Sequence, residues 1–118
     1  MNPGELYWLT PDVEADGVPG VAHPHVVVAV HIPGTTPESV TMCVLTSNLK
    51  RAKDFGNVLL DEGEGNLTKR SVVEVDKQHT ISSARVGALI GTLSAARIQQ
   101  IAAGMRFLQT THFGREPA

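Results

Sequence analysis

A chain of 118 residues has room for one domain and buries roughly two-thirds of its unfolded surface on folding. A net charge of −2 excludes a surface coated in positive charge for tight, non-specific nucleic-acid binding and leaves room only for a local basic patch. The lone Cys43 excludes an intrachain disulfide and any cysteine-cluster metal site, and no apolar run approaches the length of a membrane span.

The opening MNPGELYW lacks the cationic start and apolar core of a signal peptide, so a cytoplasmic protein is expected. Aromatic residues make up only 4% of the chain, too few for a broad base-stacking platform. Half of the Lys and Arg residues are Lys50, Arg51, Lys53, Lys69 and Arg70, whereas Asp61, Glu62 and Glu64 sit apart in a Gly-rich turn.

In chain order, residues 4–10 (GELYWLT) alternate as a first strand. Residues 11–19 carry Pro, Asp and Gly without periodicity and read as a long loop, of the kind that is often functional or mobile. Residues 26–31 (VVVAVH) are the clearest strand, rich in Val on both faces, and Pro24 suits the start of such a strand. Residues 33–37 (PGTTP) form a turn.

Residues 40–46 form the next strand, which stops abruptly at Thr46-Ser47-Asn48 and is followed at once by Lys50, Arg51 and Lys53. A rigid strand that delivers two hydroxyls and an amide to a loop beside positive charge is what a phosphate-handling site needs. Cys43, inside that strand, reads as a buried inert thiol.

Residues 55–60 and 71–75 are two more strands, with the turn glycines Gly63 and Gly65 between them. Residues 87–93 read as a last strand broken by glycines, where another segment approaches closely. Only the tail is helical. Ser94 is its N-cap, and Ile98, Ile101, Ala102, Met105 and Leu108 share one apolar face. Residues 110–118 lose the pattern and are expected to fray. Several short strands and one helix predict a mainly β fold, a small twisted β-barrel with the helix packed on it.

The segments PGELYWL, HPHVVVAV, VLTSNLK, GNLTKRS, VVEVDKQHTIS and IGTLSAARIQQIAAGMRFL, in this order and spacing, resemble the PemK/MazF family of toxin–antitoxin endoribonucleases. The resemblance covers nearly the whole chain. It implies a single SH3-like β-barrel domain with a C-terminal α-helix, usually a homodimer. It implies metal-independent cleavage of single-stranded RNA, with no cofactor: the ribose 2′-hydroxyl attacks the adjacent phosphorus and leaves a 2′,3′-cyclic phosphate and a 5′-hydroxyl. It also implies a small cognate antitoxin as partner.

Carried over by position, Thr46 matches the family's active-site threonine and Ser47 a neighbouring RNA-contacting position. Asp76 matches an aspartate that some members use as a base. His23 stands where the family has the arginine before the proline, and His79 at the second basic position. Imidazole relays protons near neutral pH but lacks the permanent charge and bidentate fork of arginine. Glu74 stands where some members have an arginine, and an inward Glu74 would repel phosphate.

Asn48, Lys50, Arg51 and Lys53 are then the candidates for RNA contacts, because residues 11–21 hold three acids and no cation. His25 and His31 make no obvious metal set with His23. Two readings follow: a histidine-based endoribonuclease toxin, or a catalytically degenerate dimeric module that binds an antitoxin or RNA.

Overall fold

The computed structural model describes residues 1–10, 21–34 and 38–115, with the backbone alone from 111 onward. Six strands are present: β1 (Glu5–Leu9), β2 (His23–His31), β3 (Ser39–Thr46), β4 (Val58–Leu60), β5 (Ser71–Ser82) and β6 (Leu89–Thr92). They form one sheet in the order β4-β5-β3-β2-β1-β6, with every neighbouring pair antiparallel. Helix α1 (Ala95–Arg115) follows. The sheet curls into a half-barrel. Its two edges approach through the 3-10 turn Glu64–Asn66, whose Asn66 side chain donates to the Ile90 carbonyl of β6 at 3.0 Å.

Alternation along the strands divides the apolar residues between two clusters. Leu6, Val26, Cys43, Leu45, Val73 and Val75 face α1, which contributes Ile98, Ile101, Met105 and Leu108. Val27, Val40 and Met42 lie in a smaller cluster on the opposite face, against Tyr7, Val30, Ile81 and Val86. The expected apolar stripe of the helix is therefore the packed one. Ser94 caps it, its Oγ accepting from the Arg97 N–H at 3.3 Å.

Several boundaries differ from the expectation. Strand β2 starts three residues early, at His23, and takes in Pro24, whose partner Trp8 lies on β1. Strand β4 is only three residues long, because Gly56 adopts φ +88° and turns the chain where residues 55–57 were expected to be extended. Strand β5 runs on to Ser82. It does so by looping out three residues: Cys43 pairs with Gln78, but Val44 pairs with Glu74. This bulge lets one strand serve two stretches of β3 while bending sharply.

The glycine-broken last strand is confirmed, and a Cβ on Gly91 would collide with the Gly65 carbonyl. The helix backbone continues to Arg115, beyond the point where fraying was expected. The predicted loop at residues 11–19 lies outside the described residues, and residues 35–37 of the predicted turn lie outside them as well.

Candidate functional site

Thr46 is the last residue of β3 and Thr46 Oγ1 accepts a hydrogen bond from the Asn48 N–H at 3.1 Å. That bond uses a lone pair of the hydroxyl and leaves its hydrogen to donate elsewhere. Asn48 then caps the 3-10 turn Leu49–Lys53, its side-chain oxygen accepting from the Lys50 N–H at 3.2 Å. The abrupt end of β3 is thus a hydroxyl-stabilised turn that feeds a short cationic helix. Lys50, Arg51 and Lys53 are exposed on that turn.

On β2, alternation puts His23, His25 and Val27 on one face, and Val27 packs with Met42 of β3. The same face of β3 carries Met42, Val44 and Thr46. His25 pairs with Val44, and that register continued by two residues sets His23 against Thr46. His79, opposite Met42 on β5, joins the same face, with its ring centroid 6.2 Å from that of His25. The structure therefore gathers His23, Thr46 and His79 on one side of the sheet.

Asp76 falls among the three residues looped out of β5. It is exposed on the looped-out part of β5 and makes no hydrogen bond or ion pair among the described residues. Its charge reaches Cys43 through the sheet: burial, with Asp76 as the lesser cause, pushes the Cys43 thiol up to about 12. Cys43 is buried, as expected, and protonated at neutral pH.

Glu74 points inward, at 5% exposure, but it does not stand bare. Glu74 Oε1 lies 3.6 Å from Arg51 Nε and 3.5 Å from Lys77 Nζ. Its negative charge is taken up by two cations, and Arg51 is tied to β5 and to Asp54 (3.5 Å) instead of standing free. Of the three cations after Asn48, only Lys50 and Lys53 are without an ion-pair partner among the described residues.

Beside His23 opens a cleft of about 240 Å³. Ser47, Lys69 and Ser71 bring polar groups to it, and Trp8, Pro24 and Leu67 give it apolar walls. Trp8 is 42% exposed, which is unusual for the largest apolar side chain of a small domain. Sequence reasoning counted Lys69 among the cations but gave it no role, and it passed over Trp8. The signal was faint: Trp8 is one of several alternating residues in the first strand pattern, while Lys69 is brought to His23 only by the curl of the sheet.

The other residue missed is His25, considered above only as a metal ligand. It is 5% exposed, and its Nδ1 lies 2.9 Å from the His23 carbonyl oxygen. Since that oxygen only accepts, Nδ1 carries the proton. Burial is the main influence on its titration and lowers its pKa; the hydrogen bond to His23 opposes this, and the charges of His79 and His23 add to the lowering. His25 is therefore neutral at pH 7.

The curled sheet and helix have counterparts among solved structures. One is described as an endoribonuclease in complex with its cognate antitoxin from a mycobacterial species, 18% identical, with 93% of each chain covered and a TM-score of 0.67. Another is the Mycobacterium tuberculosis toxin MazF-mt6, 23% identical, covering 88% of this chain and 92% of that one at a TM-score of 0.64. At those identities the likeness is one of fold. No curated protein matches. The family model described as PemK-like, MazF-like toxin of type II toxin–antitoxin systems matches residues 2–108. With nearly its whole length matched by that model, and with the fold to go with it, the chain belongs to the PemK/MazF toxin family.

Proposed function

We propose that this chain is an endoribonuclease toxin that cleaves single-stranded RNA without a metal and is neutralised by a small cognate antitoxin. The observation that carries the reading is the meeting of His23 and Thr46 on one face, at the rim of a cleft that holds Ser47 and Lys69. In the reaction, the 2′-oxygen of the ribose bonds to phosphorus as the bond from phosphorus to the 5′-oxygen breaks. The 2′ proton passes to an imidazole, for which His23 is the candidate. The Thr46 hydroxyl donates to a phosphoryl oxygen, where charge builds up. The second exposed imidazole, His79, supplies the proton that the departing 5′-oxygen needs. Ser47, Lys50 and Lys53 hold the backbone around that phosphate. Asp76, exposed on the bulge that precedes His79, is the alternative base for the 2′ proton.

A homodimer in the cytoplasm is the expected working form. Phe55 and Phe107 offer apolar surface for a second copy, being 79% and 47% exposed with ring centroids 5.9 Å apart. No helix among the described residues is long and apolar enough to cross a membrane.

One observation favours the second reading, a non-cleaving member that binds its antitoxin. The family arginine is replaced by His23, and Arg51 is held by Glu74, so the site has little fixed positive charge. The deciding experiment incubates the purified protein with a long single-stranded RNA in the presence of EDTA and identifies the fragment ends. Discrete fragments ending in cyclic phosphate and 5′-hydroxyl, lost in His23→Ala, support the endoribonuclease. Intact RNA with folded protein supports the binding module.

A further inference from the structure

His25 is the one imidazole of this face that is buried, and nothing in the proposed chemistry uses it. Three observations converge on it. Its Nδ1–H is held by the His23 carbonyl at 2.9 Å. Its ring lies against that of His79, with 6.2 Å between centroids and a tilt of 51°. Its Nε2 has no hydrogen-bond partner among the described residues, yet no buried side-chain nitrogen or oxygen among them is left unpaired. A buried polar ring kept at this cost in place of the valines around it is the mark of a positional role.

The groups around His25 can be named strand by strand. Strand β1 presents Tyr7, directly opposite, whose hydroxyl donates to Glu5 at 2.9 Å. Strand β2 itself contributes His23. Strand β3 presents Val44, which does not titrate. Strand β5 presents His79 and, beyond Val44, Glu74, whose charge faces Arg51 and Lys77.

We propose that His25 is the positioning residue of this site: its Nδ1–H fixes the backbone of His23 and its ring fixes the imidazole of His79, so that the two exposed imidazoles meet an RNA phosphate in one geometry. The proposal rests on the RNA-cleaving reading above for its consequence, but its structural content does not. The contact with His23 needs a proton on Nδ1, and the neutral Nδ1–H tautomer meets that need without adding a charge beside the two exposed imidazoles. Its burial, which disfavours the charged form, supplies that state around pH 7. A charged His25 would sit as a third cation between two imidazoles that must themselves exchange protons.

The test separates the two contacts of the ring. Asparagine places its amide nitrogen near the position of Nδ1, and glutamine places its own near Nε2. His25→Asn therefore keeps the hydrogen bond to the His23 carbonyl, and His25→Gln loses it. If the wild-type chain cleaves RNA, His25→Gln is expected to lower kcat by about tenfold or more with KM little changed, and His25→Asn to retain more of kcat than His25→Gln. The alkaline side of the pH–rate profile is expected to move in both, because both lack the ring beside His79, the proton donor of the scheme. Equal kcat in the two variants, or a pH profile unchanged from wild type, overturns the proposal. If the wild-type chain cleaves nothing, the endoribonuclease reading fails by itself, and His25 is judged by nitrogen-15 NMR of the folded protein. A neutral imidazole protonated at Nδ1 around pH 7, together with imidazole shifts of His23 and His79 that change in the variants, sustains the positioning role. An Nε2-protonated or charged ring at that pH, or unchanged His23 and His79 signals, overturns it.

Discussion

In the proposed scheme Thr46 carries two jobs with one oxygen. It accepts from the Asn48 N–H, which shapes the turn, and its own hydrogen is free for a phosphate. Thr46→Val removes both at nearly constant volume. The lost turn bond costs about 1 kcal/mol of stability, whereas a lost oxyanion donor lowers cleavage by about 10²–10³-fold. Denaturant melts and single-turnover cleavage on the same variant are expected to show this mismatch. His25 makes a second prediction at this scale, about stability. Its folded pKa lies below the ordinary 6.5, mainly through burial. Below pH 6.5 the unfolded chain takes up a proton that the folded chain refuses, so stability falls as pH falls, until the lowered folded pKa is passed. Glu64 acts in a separate window. Its pKa is held below 4.5, chiefly by the hydrogen bonds from Arg97, so its contribution is present above pH 4.5 and is lost only as pH falls through the folded value. Urea melts from about pH 7.5 to 5 are expected to show declining stability in wild type and a flatter line in His25→Asn.

Among the elements, β5 does the most to form the site. Its three-residue bulge carries His79 back onto the face of His25 and leaves Asp76 outside. Glu74, just before the bulge, anchors the turn Leu49–Lys53 through Arg51. The packing of α1 depends on a different feature, the close approach of two glycines. A Cβ on Gly104 would collide with the Gly56 carbonyl, and Gly56 itself sits at φ +88°. An alanine at 104 gains about 1 kcal/mol of helix propensity. It must also force backbone apart, at a typical cost of about 1–3 kcal/mol. Since backbone cannot rotate away as a side chain can, Gly104→Ala is expected to be destabilising by about 1–2 kcal/mol, read as a lower midpoint in thermal or urea melts. This approach was not legible in the sequence, where Gly104 stands in the middle of a helix pattern and residues 55–57 look extended. The apolar stripe Ile98, Ile101, Ala102, Met105 and Leu108 was legible, because helical period alone defines it.

For the whole molecule, the modest charge has a measurable consequence. Arg51, Lys77, Arg70 and Arg97 are each within ion-pair distance of an acid, which leaves Lys50, Lys53 and Lys69 as cations near the candidate site without such a partner. Binding of a single-stranded RNA analogue with a 2′-O-methyl group at the cleavage position is expected to weaken with salt at a log–log slope of about −2, the value for roughly three released counterions. A slope of about −4 or steeper would mean that Arg51 and its neighbours leave their acids to bind RNA. The exposed Phe55 and Phe107 pair makes a second test at this scale. If that pair meets a second copy, Phe107→Asp shifts the chain from dimer toward monomer in light scattering across a range of concentrations, because a buried unpaired charge opposes association.

The sequence by itself determined the strands with strong β-branched runs, the capped helix with its apolar face, the buried thiol, and the family, since each depends on residues near one another in the chain or on an ordered series of short segments. It also offered His23, Thr46, Asp76 and His79 as candidates for the site. What only the tertiary structure decided is which side chains meet. The register of β2 on β3 brings His23 toward Thr46, and the bulge in β5 turns His79 to the same face. Glu74 finds Arg51 and Lys77, which changes it from a repelling acid into an anchor. His25 becomes buried, with its Nδ1 held by the His23 carbonyl and its ring beside that of His79. Most of these outcomes depend on contacts between residues more than twenty positions apart, and a shift of one residue in strand register would reverse the face of every side chain involved, so local pattern could not specify them.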